Sequence, residues 1–289
     1  MKSKTLILGV LFIIGAYCFG IATGHYRYFP FDIFFEIKQG VDTNSKRNLD
    51  IDSLVEVDIA VSENTGIYLT YGQSNSVNHG QIGYDVRENV YQFLEGKAYL
   101  YHDPSLGGTG KGGSVWGIVG DKLIENGNHE SVIFSNNGWQ GKRLEELIED
   151  PYITYLINSY QQLLAKYGRV DAILFHQGEI NHSMKFGNEN YYEDFKILLQ
   201  KLYREGIHIP IYLSRTSICN TPSDSSLIDI QNKIIKDFEI VHEGPNTDLL
   251  FDKKYRLLDY CHFSMLGYKK FSDMWVKCLT DEHIISSLK

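Results

Sequence analysis

From Gly66 onward, apolar residues come in short unbroken runs separated by longer stretches in which they recur every three or four positions. The short runs are rich in β-branched and aromatic residues and predict strands at Ile67–Tyr71, Val132–Ser135, Asp171–His176, Ile209–Ser214 and Asp248–Phe251. The longer stretches predict helices. Tyr152–Tyr167 carries Tyr155, Leu156, Tyr160, Leu163 and Leu164 at helical spacing, and Tyr191–Arg204 carries Phe195, Leu198, Leu199 and Leu202. Leu227–Phe238 and Ser264–Cys278 complete the set. Upstream, Val55, Val57, Ile59 and Val61 alternate with Glu56, Asp58 and Ala60, the period of a half-buried strand. Strands alternating with helices imply a parallel sheet covered by helices on both faces, with ligands at the carboxyl ends of the strands. No internal repeat is visible.

The first 24 residues follow another pattern. Lys2 and Lys4 precede Thr5 to Gly24, a stretch without a charge. At about 1.5 Å per helical residue it spans roughly 30 Å, one bilayer core. The lysines place the N-terminus in the cytoplasm and the remainder outside it. A cleaved signal peptide, leaving a secreted protein, is the alternative. An Ala-x-Ala site is absent, and Tyr17 before Cys18 disfavours a lipoprotein signal, so an uncleaved anchor is preferred. His25 to Phe35 is rich in aromatics, as at a membrane interface, and Lys38 to Asp52 is polar. The expected organisation is an anchor or signal at 1–24, a juxtamembrane linker at 25–52 and one domain at 53–289.

Composition narrows the function. The formal charge of −8 and pI near 5.7 exclude a nucleic-acid partner, whose phosphates call for a basic surface. Lys253, Lys254 and Arg256 read as a solvated basic loop. Cys18, Cys219, Cys261 and Cys278 contain no Cys-x-x-Cys spacing, so neither a zinc ribbon nor a thioredoxin-like motif is present. His176, Glu179 and His182 lack the His-Glu-x-x-His spacing of a zinc helix. Ser105–Gly117 is glycine-rich, but Ser105 stands where a phosphate loop has its first glycine, and Lys111 is followed by Gly112. A flexible loop over the site is expected there. No metal or other cofactor is expected.

Three predicted strand ends carry reactive side chains. Ser74, in Gly72-Gln73-Ser74-Asn75-Ser76, follows the first strand, where a serine is presented at a tight turn. His176-Gln177-Gly178-Glu179 ends the third. Asp259-Tyr260-Cys261-His262 follows the last, and a carboxylate three residues before a histidine can orient its ring. Together with Phe263, Ser264 and Gly267, these blocks resemble the SGNH hydrolases, in particular the sialate O-acetylesterase-like carbohydrate esterases. The likeness covers roughly Gly66 to Leu279. It implies a flavodoxin-like three-layer α/β/α sandwich with a central parallel sheet. It implies a triad of Ser74 as nucleophile, His262 as general base and acid, and Asp259 orienting it. The Ser74 N–H, the Gln177 side-chain amide and a backbone N–H of Gly141, favoured over Gly138, would form the oxyanion hole. Glu179 and Asn75 would support the site.

The expected activity is removal of O-acetyl groups from a carbohydrate or polysaccharide through an acetyl-enzyme. An acetyltransferase with the same triad is the runner-up, and a non-catalytic glycan-binding or envelope-assembly protein the third reading. One hydrophobic segment gives no route for acetyl groups across a membrane, which favours hydrolysis. Trp116 and Trp139 either stack on a sugar ring or pack in the core. Cys219 and Cys261 both fall near the proposed rim. In an oxidising compartment they could pair and brace the loop, whereas Cys278 reads as a buried apolar residue.

Overall fold

The first strand runs through the centre of the molecule. In the computed structural model, which describes residues 15–17, 47–52, 54–81, 84–183, 188 and 190–280, β1 (Thr65–Gly72) is buried along all eight residues. It pairs in parallel with β4 (Ser131–Gly138) on one side and β5 (Ala172–His176) on the other. The remaining strands are β2 (Val90–Leu94), β3 (Lys97–Leu100), β6 (Ile211–Arg215) and β7 (Val241–Asn246), in the order β3-β2-β4-β1-β5-β6-β7. All neighbours are parallel except β2 and β3.

The pleat of β1 sends alternate residues into two cores. Ile67, Leu69 and Tyr71 face α3 (Tyr152–Tyr167), α5 (Tyr191–Arg204) and α6 (Ser225–Asp237). Tyr68 faces α1 (Trp116–Glu125) and α7 (Met265–Thr280). Two short helices, α2 (Leu144–Leu147) and α4 (Glu179–Ser183), lie at the strand ends. Each fully buried side chain such as Ile67 or Leu69 stabilises the fold by about 1.5–3 kcal/mol. A one-residue slip would exchange the two faces, so the register is fixed. The result is the expected three-layer α/β/α arrangement around a mostly parallel sheet.

Register also builds the rim. Gly72 lies level with Gly138 of β4 and with His176 of β5. The segments that follow these three residues therefore leave the sheet side by side.

Several elements differ from the sequence reading. A hairpin joins β2 and β3 through Glu95 and Gly96, both at positive φ (50° and 81°), which suits the tight two-residue turns of twisted strands. Its Glu-Gly turn lacks the Asn-Gly or Asp-Gly signature, so the sheet is mixed where a purely parallel one was expected. The segment at 55–61 is no strand of the sheet. It touches β3 through one bridge, Glu56 with Tyr99, and one bond, Val57 N–H to Ala98 O at 2.8 Å. β3, four residues long, offers little edge to pair with. The last strand lies at Val241–Asn246, not at Asp248–Phe251, where a 3-10 turn (Thr247–Leu249) stands instead. Gly244 and Pro245 hid it; at the sheet edge a proline is tolerated because its missing N–H faces no partner.

The glycine-rich segment is not a loose cover. Residues 105–110 are buried, with Gly108 against Val77 and Gly110 against the backbone of Asn78. Arg47 and Asn48, within the expected linker, bond to Gly107 and Gly108. Most of the expected anchor, 5–24, lies outside the described residues, which include Gly15–Tyr17 as helix; among the described residues no helix is long and apolar enough to cross a membrane.

Candidate active site

β1 ends in a turn that requires glycine. Gly72 has φ +141°, and a Cβ there would lie 1.9 Å from the His176 carbonyl oxygen. The chain then enters a 3-10 turn, Ser74–Ser76, closed by Ser76 N–H to Gln73 O (2.9 Å) and Val77 N–H to Ser74 O (3.1 Å). Ser74 is 4% exposed at its tip. Trp116 supports the turn from the core, donating Nε1–H to Ser76 O at 2.6 Å. Being fully buried, it offers no face to a sugar. Trp139 packs on Tyr152 and Tyr155 and is partly exposed.

The Asp259–His262 loop stands beside this turn. His262 Nδ1 lies 2.6 Å from Asp259 Oδ2, while Asp259 Oδ1 accepts from the N–H groups of Cys261 (2.9 Å) and His262 (3.0 Å). Burial pushes the Asp259 carboxyl up. The His262 hydrogen bond and charge, with the two backbone donors, outweigh it and hold the group at about 2. The carboxylate thus fixes the proton on Nδ1 and leaves Nε2 as an acceptor, without a partner among the described residues. Asn75, next to Ser74, donates to the carbonyl of Cys261, next to His262, at 3.2 Å. That bond ties the two loops together. Ser74 Oγ and His262 Nε2 make no hydrogen bond in this arrangement; such contacts often tighten only when substrate binds.

Two features brace the loop. Cys219 and Cys261 form a disulfide. Arg256 is 5% exposed, contrary to the solvated loop expected from its neighbours Lys253 and Lys254, which are exposed. Its guanidinium donates to the carbonyls of Cys261 (2.6 Å), Thr247 (2.9 Å) and Leu250 (3.0 Å) and lies 4.1 Å from the Phe263 ring centroid. Burial lowers its pKa to about 10, opposed by Glu179, Asp248 and Asp259, so it is charged at neutral pH. Three carbonyls met by donors in a rigid fork suit one buried arginine better than a lysine.

Beneath the serine lies a polar floor. Glu179 Oε1 accepts from Asn75 Nδ2 (2.9 Å) and His176 Nε2 (2.7 Å), with all contact made out of solvent. Burial opposes ionisation of Glu179, yet the charge and hydrogen bond of His176, with the Asn75 bond, hold it at about 2. Gln73, which the sequence reading passed over, receives Ile180 N–H at 3.2 Å and Gly178 N–H at 3.5 Å. Gln177 is fully buried. Its Nε2 donates to Asn181 Oδ1 (2.5 Å), Lys142 O (3.3 Å) and Gln73 Oε1 (3.4 Å). The amide expected to face an oxyanion is therefore occupied, because Asn181 and the Lys142 carbonyl are nearer acceptors. Neither the Ser74 nor the Gly141 N–H has an acceptor among the described residues. Gly141 sits in the loop after β4, held by Gln140 N–H to Thr109 Oγ1 (2.8 Å) and by Gln177 to Lys142 O.

His79 is a further neighbour that no sequence spacing marks. Its ring stacks on His262 with centroids 5.5 Å apart, 28° between planes, and its Nε2 lies 3.2 Å from Thr109 Oγ1.

No protein-family model matches the chain. Over 164 residues it is 30% identical to spindle pole body component SPC97 of Saccharomyces cerevisiae, covering 50% of this chain and 19% of that protein. The chain thus spans about a fifth of that relative's length, too little to assign a family. Solved structures are more informative about the fold. A protein of Arabidopsis thaliana superposes with a TM-score of 0.59 at 13% identity, over 78% of this chain and 99% of that one. A carbohydrate acetylesterase from Xanthomonas citri gives 0.50 at 13% identity, over 78% and 56%. A family 3 carbohydrate esterase from Talaromyces cellulolyticus gives 0.50 at 10% identity, over 76% and 99%. With Ser74 at the end of the central strand and Asp259 and His262 just ahead of the last helix, the chain has the fold of the SGNH hydrolases, the superfamily its sequence blocks resemble.

Proposed function

We propose that this protein is a serine esterase that removes O-acetyl groups from a carbohydrate. The observation that carries the reading is the Asp259–His262 pair, bonded through Nδ1, with Nε2 left as acceptor on a loop tied to the residue after Ser74. In the reaction, His262 Nε2 takes the Ser74 hydroxyl proton as Oγ attacks the ester carbonyl. The N–H groups of Ser74 and Gly141 receive the developing oxyanion; each such donor contributes roughly 3–4 kcal/mol to the transition state. Gln177 joins them only by releasing the Lys142 carbonyl. His262 then passes its proton to the sugar oxygen as the C–O bond breaks, leaving an acetyl-serine. Water, deprotonated by His262, releases acetate. Every step uses groups of the chain.

The carbohydrate substrate is supported by the two esterases of similar fold, and the narrower likeness to sialate O-acetylesterases by the motifs alone. Export is supported by the Cys219–Cys261 disulfide, since such bonds persist in oxidising compartments. We assign residues 5–24 as the anchor, with the domain on the exported side. Membrane fractionation with protease protection tests that; a soluble form beginning near Thr23 would show cleavage instead.

The test of the activity is acetate release from a panel of O-acetylated sugars by wild type and Ser74→Ala. Release by the wild type alone is expected. Retained release in the folded variant would remove Ser74 as nucleophile, and acetylation of an added glycan in place of acetate release would make the protein a transferase.

A further inference from the structure

His79 lies five residues beyond Ser74 and is used by none of the steps above. Its ring stacks on that of His262, and its Nε2 meets Thr109 Oγ1 at 3.2 Å. Thr109 is itself buried and committed on its other side. Its hydroxyl oxygen accepts from Gln140 N–H at 2.8 Å and lies 3.4 Å from Gly138 O, which also accepts Thr109 N–H at 3.1 Å. A hydroxyl has one proton and two lone pairs. A carbonyl brings no proton, so the Thr109 proton goes to Gly138 O. Gln140 takes one lone pair, and the other is left for a donor. With the Thr109 proton on Gly138 O, that lone pair suits a His79 that carries its proton on Nε2.

The contacts form a continuous chain from the base to the loop that holds Gly141. We propose that His79 and Thr109 are a positioning pair that keeps the His262 ring and the Gly138–Lys142 loop in one register. This rests on the esterase reading of the site. His79 touches no reacting atom in the scheme, so it acts through its neighbours. Two things are required of it: a flat face against His262 and no charge. When His262 takes the serine proton, a neutral ring lies against the imidazolium, whereas a second cation would oppose it. The ionisable groups that face His79 are His262 and Asp259; burial first, and then the charge of His262, lower the His79 pKa to about 3. Asp259 and a hydrogen bond to the Thr109 backbone oppose that shift without reversing it.

The experiment uses the full chain with His79→Phe, His79→Arg and Thr109→Val, each checked for folding by circular dichroism. Histidine-ring NMR titration gives a readout that needs no substrate, and pH profiles of p-nitrophenyl acetate hydrolysis give kcat and KM. In the wild type the His79 ring should not titrate between about pH 5 and 8, where free histidine does. In His79→Arg the His262 midpoint should fall by about half a pH unit or more, since a neighbouring cation disfavours the imidazolium. His79→Phe keeps the stack and loses the Thr109 bond; kcat should drop about tenfold with KM within about twofold, and the acid limb should stay in place. Thr109→Val should match it. Wild-type kcat in both His79→Phe and Thr109→Val, or a His79 ring that titrates like a free histidine, would overturn the proposal even if Ser74→Ala is inactive. If the wild type hydrolyses nothing while the ring titrations behave as stated, the esterase reading fails and the coupling of the two rings stands.

Discussion

Two carboxylate–imidazole pairs of identical spacing lie within this rim, and they differ in which ring nitrogen is tied. His176 and Glu179 are both 0% exposed and lie 2.7 Å apart, whereas Asp259 and His262, 2.6 Å apart, are 24% and 18% exposed. In the first pair the carboxylate takes Nε2, and the ring is closed over by Phe271 at 5.2 Å between centroids. In the second it takes Nδ1, leaving Nε2 beside the serine turn. An acid–histidine pair is thus not a catalytic sign in itself. The nitrogen that is tied, and whether the other can reach a substrate, decide between a brace and a base.

The largest effect expected from this contrast is on rate. His262→Ala should lower kcat by about 10⁴-fold or more while the melting temperature barely moves, because the ring is partly exposed. Asp259→Asn should cost about 10³–10⁴-fold, since the amide no longer fixes the proton on Nδ1. Steady-state kinetics with an acetyl ester checks both; a His262 variant within tenfold of wild type would dissolve the distinction between the pairs.

Changes at Glu179 should act on stability instead. The carboxyl is held at about 2 against its ordinary 4.5, a depressed value. A depressed carboxyl stabilises the fold at pH above its unfolded value, and that contribution is lost as pH falls from 4.5 toward 2. It amounts to on the order of 3 kcal/mol. Glu179→Gln should therefore lower the melting temperature at pH 7, and the difference from wild type should shrink as the melts are repeated down to pH 3. An unchanged gap across that range would show that the ion pair contributes nothing specific.

The smallest effect on activity should come from reducing the disulfide. Cys219 and Cys261 are 42 positions apart, and opening such a loop costs about 3–4 kcal/mol in chain entropy. Arg256 and Asn75 still hold the Cys261 carbonyl afterwards. Activity measured with and without reductant should fall only several-fold with the domain folded; complete loss would make the disulfide, rather than Arg256, the main brace of the base.

Much of this was legible in the chain itself. Periodicity located α3 and α5 to the residue, because Leu156, Leu163, Phe195 and Leu198 repeat at helical spacing on one buried face. The buried runs around Ile67 and Ile173 marked the central strands for the same reason. Local spacing placed Asp259 and His262 in one turn. Local pattern failed where the determinant was an edge or a partner distant in sequence. β7 was hidden by Gly244 and Pro245, acceptable only because among the described residues no strand lies beyond it. Arg256 looked like its solvated neighbours, since nothing nearby announces that Thr247, Leu250 and Cys261 turn their carbonyls toward it. His79 stands against His262, 183 positions away, and no spacing rule reaches that far.

The sequence by itself determined the alternation of strands and helices and the identity of the reactive side chains, because backbone periodicity and side-chain chemistry are local properties. Only the tertiary structure decided which histidine suits the proposed role of base and which that of brace. That choice depends on which ring nitrogen faces a carboxylate and which is sealed by Phe271, and both follow from packing between residues far apart in the chain.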